Sequence, residues 1–167
     1  RLFLRRQISI RDFRRPTPFF YQALAPYFDV TLFPSREDVV PRASYMPPHV
    51  DTTYYNGIGP VDKLPPVVFI GNNFGDRFEE GASRRAMVDT LRTAFPNDFI
   101  LFGHGWGAGT VPTGQRFEKL IYDSVKVVIN HNHFVADGYT SDRMMRAMSS
   151  GRAVVSSYVP NGVPFLD

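Results

Sequence analysis

Apolar residues in the second half of the chain fall into four short runs, and the stretches between them have a helical period. The runs are 66–73 (PVVFIGNN), 98–105 (DFILFGHG), 125–130 (VKVVIN) and 152–157 (RAVVSS). Each is rich in β-branched or aromatic residues and stops at Gly, Asn or Ser, which predicts a buried strand followed by a turn. Between them, 81–95, 114–124 and 141–150 predict helices. Met87, Leu91, Ala94 and Phe95 recur at helical spacing in the first, and Phe117, Leu120 and Ile121 in the second. Strand and helix alternate throughout. That order predicts an α/β, Rossmann-like domain: a parallel sheet with right-handed crossovers and flanking helices.

The front half is less regular. Residues 17–28 predict a short helix with a turn at Pro26, and 28–35 a strand that is apolar nearly throughout. Ser35 is placed to cap a short helix over 36–40, which ends before Pro41. The segment 43–59 is extended, first Pro-rich and then Gly-rich. The expected organisation is therefore the tail of a first α/β domain over 1–56, a linker over 57–65 and the Rossmann-like domain over 66–167. The first residue is Arg and the last follows a strand-like run closely, so the chain reads as a piece of a longer protein. A sheet lacking its closing elements would leave an apolar face open, with poor solubility as the expected consequence.

Composition narrows the function. With 43% hydrophobic and 14% aromatic residues the chain can bury a core, and with no cysteine it has neither disulfides nor thiolate metal ligands. That fits a reducing, cytoplasmic location. The net charge is +3, and Arg1, Arg5, Arg6, Arg11, Arg14 and Arg15 crowd the front. No reading helix or stacking motif accompanies them, so a solvated basic edge is expected and no nucleic-acid partner. No run reaches the ~18 apolar residues of a membrane span, and the front lacks the apolar region of a signal peptide.

In an open parallel sheet, ligands bind beyond the C-terminal ends of the strands. Here those ends carry Gly71, Asn72 and Asn73; Gly103, His104, Gly105 and Trp106; Asn130 to His133; and Ser156 to Tyr158. Plain turns would explain some of the glycines, but not a Trp and three His at one rim. The stretch DGYTSDR opens the third helix; in it Gly138 permits close backbone approach and Thr140 or Ser141 is an N-cap candidate. Free N–H groups and the helix dipole favour an anion there, and Arg143 in the first turn can add a charge-assisted bond. An ordinary capped helix with a surface Arg would have the same spacing. GHGWGAG is neither a Walker loop nor a dinucleotide fingerprint. His131 and His133 stand two residues apart at a strand end with no carboxylate or third His beside them in the sequence, so no metal site is expected. No G-x-S-x-G elbow occurs.

With these residues in view, the segment from about Tyr45 to Asp167 resembles GT-B glycosyltransferases, specifically the CgeB-like (spore maturation protein) group. YMPPHVDTTYY, VVFIGNN, FGHGW, FEKLIYDSVKVVIN and DGYTSDRMMRAMSSGRAVVSSYVPNGVPFL match the family's segments in order. The last is the most specific. The resemblance implies the C-terminal, donor-binding half of a GT-B fold, taking a nucleotide-diphospho sugar as substrate with no cofactor. It places the donor against Gly71, Asn72, Gly103, Gly105 and Trp106, and against Asp137, Gly138, Tyr139, Thr140, Ser141 and Arg143. The related transferases carry a Glu on this helix that binds the donor's ribose, where this chain has Arg146, which cannot accept a hydrogen bond.

The expected activity is sugar transfer to an unknown glycan, protein or small-molecule hydroxyl, hexosyltransferase-type and metal-independent. Arg143 would stabilise the departing diphosphate, with His104 and His133 as candidate bases. The alternative is an inactive GT-B-like binding or assembly module. A sugar epimerase on the same architecture would need a carboxylate constellation that the sequence does not display.

Overall fold

The computed structural model describes residues 31–33, 43–45, 50–58, 64–107 and 115–161. The helices expected at 17–28 and 36–40 lie outside the described residues. Strand β1 (Thr31–Phe33) falls inside the expected strand and pairs in parallel with β2 (Ala43–Tyr45), where the sequence predicts extended chain only.

The remaining elements follow the predicted alternation. They are β3 (Val67–Ile70), α1 (Gly81–Ala94), β4 (Phe99–Phe102), α2 (Gln115–Asp123), β5 (Val127–Asn130), α3 (Asp142–Ser149) and β6 (Ala153–Ser156). A 3-10 turn, Gly75–Arg77, precedes α1. The four strands form one parallel sheet in the order β4-β3-β5-β6. This is an α/β, Rossmann-like arrangement. The chain leaves β3 for β4 on one side and returns past β3 to β5 on the other. A topological switch point therefore lies between β3 and β5, where such sheets open a crevice at their C-terminal ends. The register sets Ile70 beside Phe102, Phe69 beside Ile129 and Asn130 beside Ser156, so the strand ends form one rim.

Alternation along β3 divides its side chains between the faces. Val68 and Ile70 join a buried cluster with Ile121, Tyr122, Val125, Val128 and Ala147, which reaches back to Tyr55. Burying each such aliphatic or aromatic side chain contributes roughly 1.5–3 kcal/mol. Phe69, from the alternate position, meets Arg84 of α1.

Two helix faces differ from the expected ones. In α1 the buried residues are Gly81, Arg84 and Val88, while Met87 and Leu91 are half-buried and Ala94 and Phe95 are exposed. In α2, Ile121 is buried as expected, but Phe117 and Leu120 are 50% and 46% exposed. Tyr122 is buried in their place. The rotation of α2 brings Glu118 to Arg146 of α3 at 2.5 Å, an ion pair that ties the two helices together. No helix among the described residues is long and apolar enough to cross a membrane.

Candidate functional site

The loops after β3 and β4 are sewn together beyond their strands. Gly71 N donates to Phe102 O at 2.9 Å, and Asn73 N to His104 O at 2.8 Å. The Asn72 amide oxygen accepts His104 N at 2.9 Å, Asn73 Nδ2 donates to Gly105 O at 3.1 Å, and Trp106 Nε1 donates to Gly71 O at 2.6 Å. Trp106 also meets Phe69 edge-on, with ring centroids 6.2 Å apart. A Cβ on Gly103 would collide with the Gly71 carbonyl, so this rim glycine is required by the approach of the two loops.

The β5 end is equally constrained. Buried Asn130 donates to Ser156 Oγ at 2.9 Å and accepts from Ser141 Oγ at 2.6 Å. Asn132 Oδ1 accepts the Ser141 N–H at 3.1 Å, fixing the N-cap residue of α3 from the loop after β5, while the Ser141 side chain makes no cap bond of its own. Ser141 and Thr140 are the expected cap and phosphate residues, and both are buried. Thr140 Oγ1 bonds Met144 Sδ at 3.0 Å. Asp142 adds a carboxylate to the first turn of α3. Asp137 and Gly138 are tied to the next turn, through Asn161 Nδ2 at 2.8 Å and Pro160 O at 3.0 Å, and Tyr139 stacks on Phe134 at 4.4 Å.

Between these two walls lie two guanidinium groups. Arg143 Nη1 donates to Ile70 O, the last carbonyl of β3, at 2.7 Å. A Cβ on Gly71 would stand 2.6 Å from that nitrogen, so the glycine leaves the space that Arg143 uses. Arg84 arrives from α1 and is only 2% exposed. It donates to Asn72 O at 3.1 Å, to His131 O and to His133 Nε2 at 3.1 Å, and lies over the Phe69 ring at 5.4 Å. Its Nε is buried without a partner. Among the described residues neither arginine meets a carboxylate within ion-pair distance; the ion pairs there are Arg85–Asp76, Lys119–Asp123, Arg146–Glu118 and Arg146–Asp142. Burying an uncompensated cation costs several kcal/mol.

The local electrostatics follow. Burial, then the charge of Arg143, pushes the Arg84 pKa down to about 9. Burial first, then Arg84 and Arg143, pushes His133 down to about 3. Burial also lowers His131 and raises Tyr139.

The structure thus brings Gly71, Asn72, Gly103, Gly105, Trp106, His133 and Arg143 to one rim, with His104 exposed at its edge. It directs Thr140 and Ser141 inward and Asp137 toward Asn161. Arg84 is the residue that sequence reasoning misses. Its only local signal is its place on one helical face with Gly81 and Val88. Arg146 is held by Glu118 and Asp142, each at 2.5 Å, and lies 5.9 Å over the Tyr55 ring. Among the described residues no three His, Asp or Glu side chains are grouped as metal ligands.

No protein-family model matches this sequence, and no curated protein matches it. Among solved structures it is similar to one described as the crystal structure of a GtfA/B complex, at 13% identity and a TM-score of 0.43. The match covers 86% of this chain and 34% of the other, so the chain spans about a third of that neighbour's length.

Proposed function

We propose that this chain is the donor-binding part of a glycosyltransferase, holding the diphosphate of a nucleotide sugar at the β3–β5 switch point. The observation that carries this reading is the pair Arg84 and Arg143, two guanidinium groups at the strand rim with no carboxylate partner among the described residues. A diphosphate against half-buried Arg143 supplies the missing charge, and the charge of Arg84, buried nearby, acts at the same place through the field. The Rossmann-like fold and the motif resemblance support the same reading.

In the transfer step, the bond between the anomeric carbon and the diphosphate oxygen breaks as the acceptor hydroxyl oxygen bonds to that carbon, and the hydroxyl proton passes to a base at the rim or to the departing diphosphate. Negative charge grows on the departing diphosphate. Arg143, already positioned by Ile70 O, meets that charge without reorganising, and the fixed charge of buried Arg84 adds to it, the condition under which electrostatic stabilisation is most effective. His133 takes no part as a base, because Arg84 occupies its Nε2 and its basicity is suppressed. Exposed His104 is the remaining imidazole candidate at the rim. The test is Arg143→Ala. Donor affinity or rate should fall severely, and an unchanged rate would remove Arg143 from the mechanism.

One observation favours a second reading, a binding module without transfer activity. Arg146 stands on α3 locked into an ion-pair network, so this position offers a sugar hydroxyl no acceptor. Donor binding without turnover, against a panel of hydroxyl acceptors, would select that reading.

A further inference from the structure

Phe74, Phe78 and His133 form one contiguous aromatic surface beside the arginine pair. Their ring centroids lie 5.4 Å apart for Phe74–Phe78, 5.4 Å for Phe74–His133 and 4.6 Å for Phe78–His133. His133 belongs to both features, since its Nε2 is 3.1 Å from Arg84 Nη1. A guanidinium only donates, so Nε2 accepts and the ring proton sits on Nδ1. The aromatic surface and the cationic site are therefore separated by a single imidazole.

The loop that presents Phe74 is firmly held. Asn73 bonds His104 O and Gly105 O, at 2.8 and 3.1 Å, and its Oδ1 accepts Gly75 N at 3.0 Å. Phe74 is nonetheless 42% exposed. A single exposed apolar side chain needs no explanation. A rigidly held one, continuous with a buried cation that lacks a counter-charge, matches a ligand with an anionic end and a flat ring.

We propose that Phe74, Phe78 and His133 are the stacking surface for the nucleobase of a nucleoside diphosphate whose phosphates lie against Arg143, within the field of the buried Arg84. The proposal rests on the anion-binding reading above. A base is favoured over a sugar ring because the surface offers ring faces and one N–H donor. A pyranose would bring several hydroxyls that need partners, whereas a base needs a face to stack on. Stacking of this kind tolerates different bases, because each has a π-face. Purines, with the larger face, should bind best.

The experiment is calorimetric titration of the chain with inorganic pyrophosphate, ADP, UDP and glucose 1-phosphate, repeated on Phe74→Leu and Phe74→Tyr. Leu keeps an apolar side chain at 74 and Tyr restores the ring. ADP should bind at least tenfold tighter than pyrophosphate. F74L should weaken ADP by roughly 5- to 100-fold, the range of one base–aromatic stack, and leave pyrophosphate unchanged, while F74Y should behave as the parent chain. The proposal is overturned if ADP binds no tighter than pyrophosphate, if F74L leaves ADP unchanged or weakens both equally, or if F74L weakens glucose 1-phosphate in place of ADP. Failure of pyrophosphate to bind, with ADP binding still dependent on Phe74, would remove the anion site and leave the stacking surface standing. Failure of every ligand to bind would remove both.

Discussion

Gly71 and Arg143 occupy one space: a Cβ on the glycine would lie 2.6 Å from Arg143 Nη1 and 2.7 Å from Phe69 Cζ. The bare backbone at the end of β3 lets a side chain from α3 reach the Ile70 carbonyl across the sheet rim. Gly71→Ala should displace the Arg143 guanidinium and weaken binding of a nucleoside diphosphate by about tenfold or more, the scale of one charge-assisted bond. Titration calorimetry reads the affinity, and circular dichroism checks that the sheet persists. Unchanged affinity would mean that Arg143 reaches the ligand from elsewhere.

Arg84 combines two opposing terms. Replacing it by Met relieves the desolvation cost of a buried cation, several kcal/mol, and forfeits bonds to three acceptors at roughly 1.5–3 kcal/mol each. These offset, so Arg84→Met should stay folded with a small change in Tm. Its stabilisation by added diphosphate ligand should disappear. Thermal melts with and without ligand measure both quantities.

The Arg146–Glu118 pair should matter for packing and not for the ligand. Both side chains are about four-fifths buried, 18% and 21% exposed. Glu118→Gln should cost about 1–2 kcal/mol, between the exposed and fully buried limits, with diphosphate affinity unchanged. Pairing it with Arg146→Met should recover part of that loss, and a urea-denaturation double-mutant cycle tests this.

Stability should depend on pH through His133. Its folded pKa is held at about 3 by burial and the two arginines, against the ordinary histidine value of 6.5. The unfolded chain therefore takes up a proton as pH falls below about 6.5, while the folded chain does not. The contribution is fully present above that pH and is lost as pH falls toward about 3. His133→Gln keeps an acceptor for Arg84 without the titration, so its stability should fall less steeply between pH 6.5 and 4. Parallel curves in urea denaturation would contradict the assignment.

Much of this architecture was legible in the sequence. Four consecutive apolar runs ending in small polar residues specify parallel strands, and the rim residues follow from where such strands stop; their burial is less legible, since β3 is mostly buried but β6, at the sheet edge, is mostly exposed. Arg143 was visible because it opens a helix beyond a strand end. Arg84 was hidden because a basic residue within a helical stretch reads as solvated. Its burial depends on Phe69 and on the carbonyls of Asn72 and His131, 12 and 47 residues away in sequence. The face of α2 is hidden for a similar reason: hydrophobicity favours Phe117 and Leu120, whereas Glu118 turns toward Arg146 and Tyr122 enters the core. Gly103 was visible as a glycine but not as one required by the Gly71 carbonyl, since loop-to-loop contact leaves no periodic signal.

The most direct test of the central claim is titration of the chain with ADP, GDP, UDP and dTDP, with and without Mg²⁺, beside its Arg84→Met and Arg143→Met variants. An arginine-pair diphosphate site requires metal-independent binding by the parent chain and at least a tenfold loss in each folded variant. Equal affinity in all three proteins, or no binding by well-folded parent chain, would contradict it.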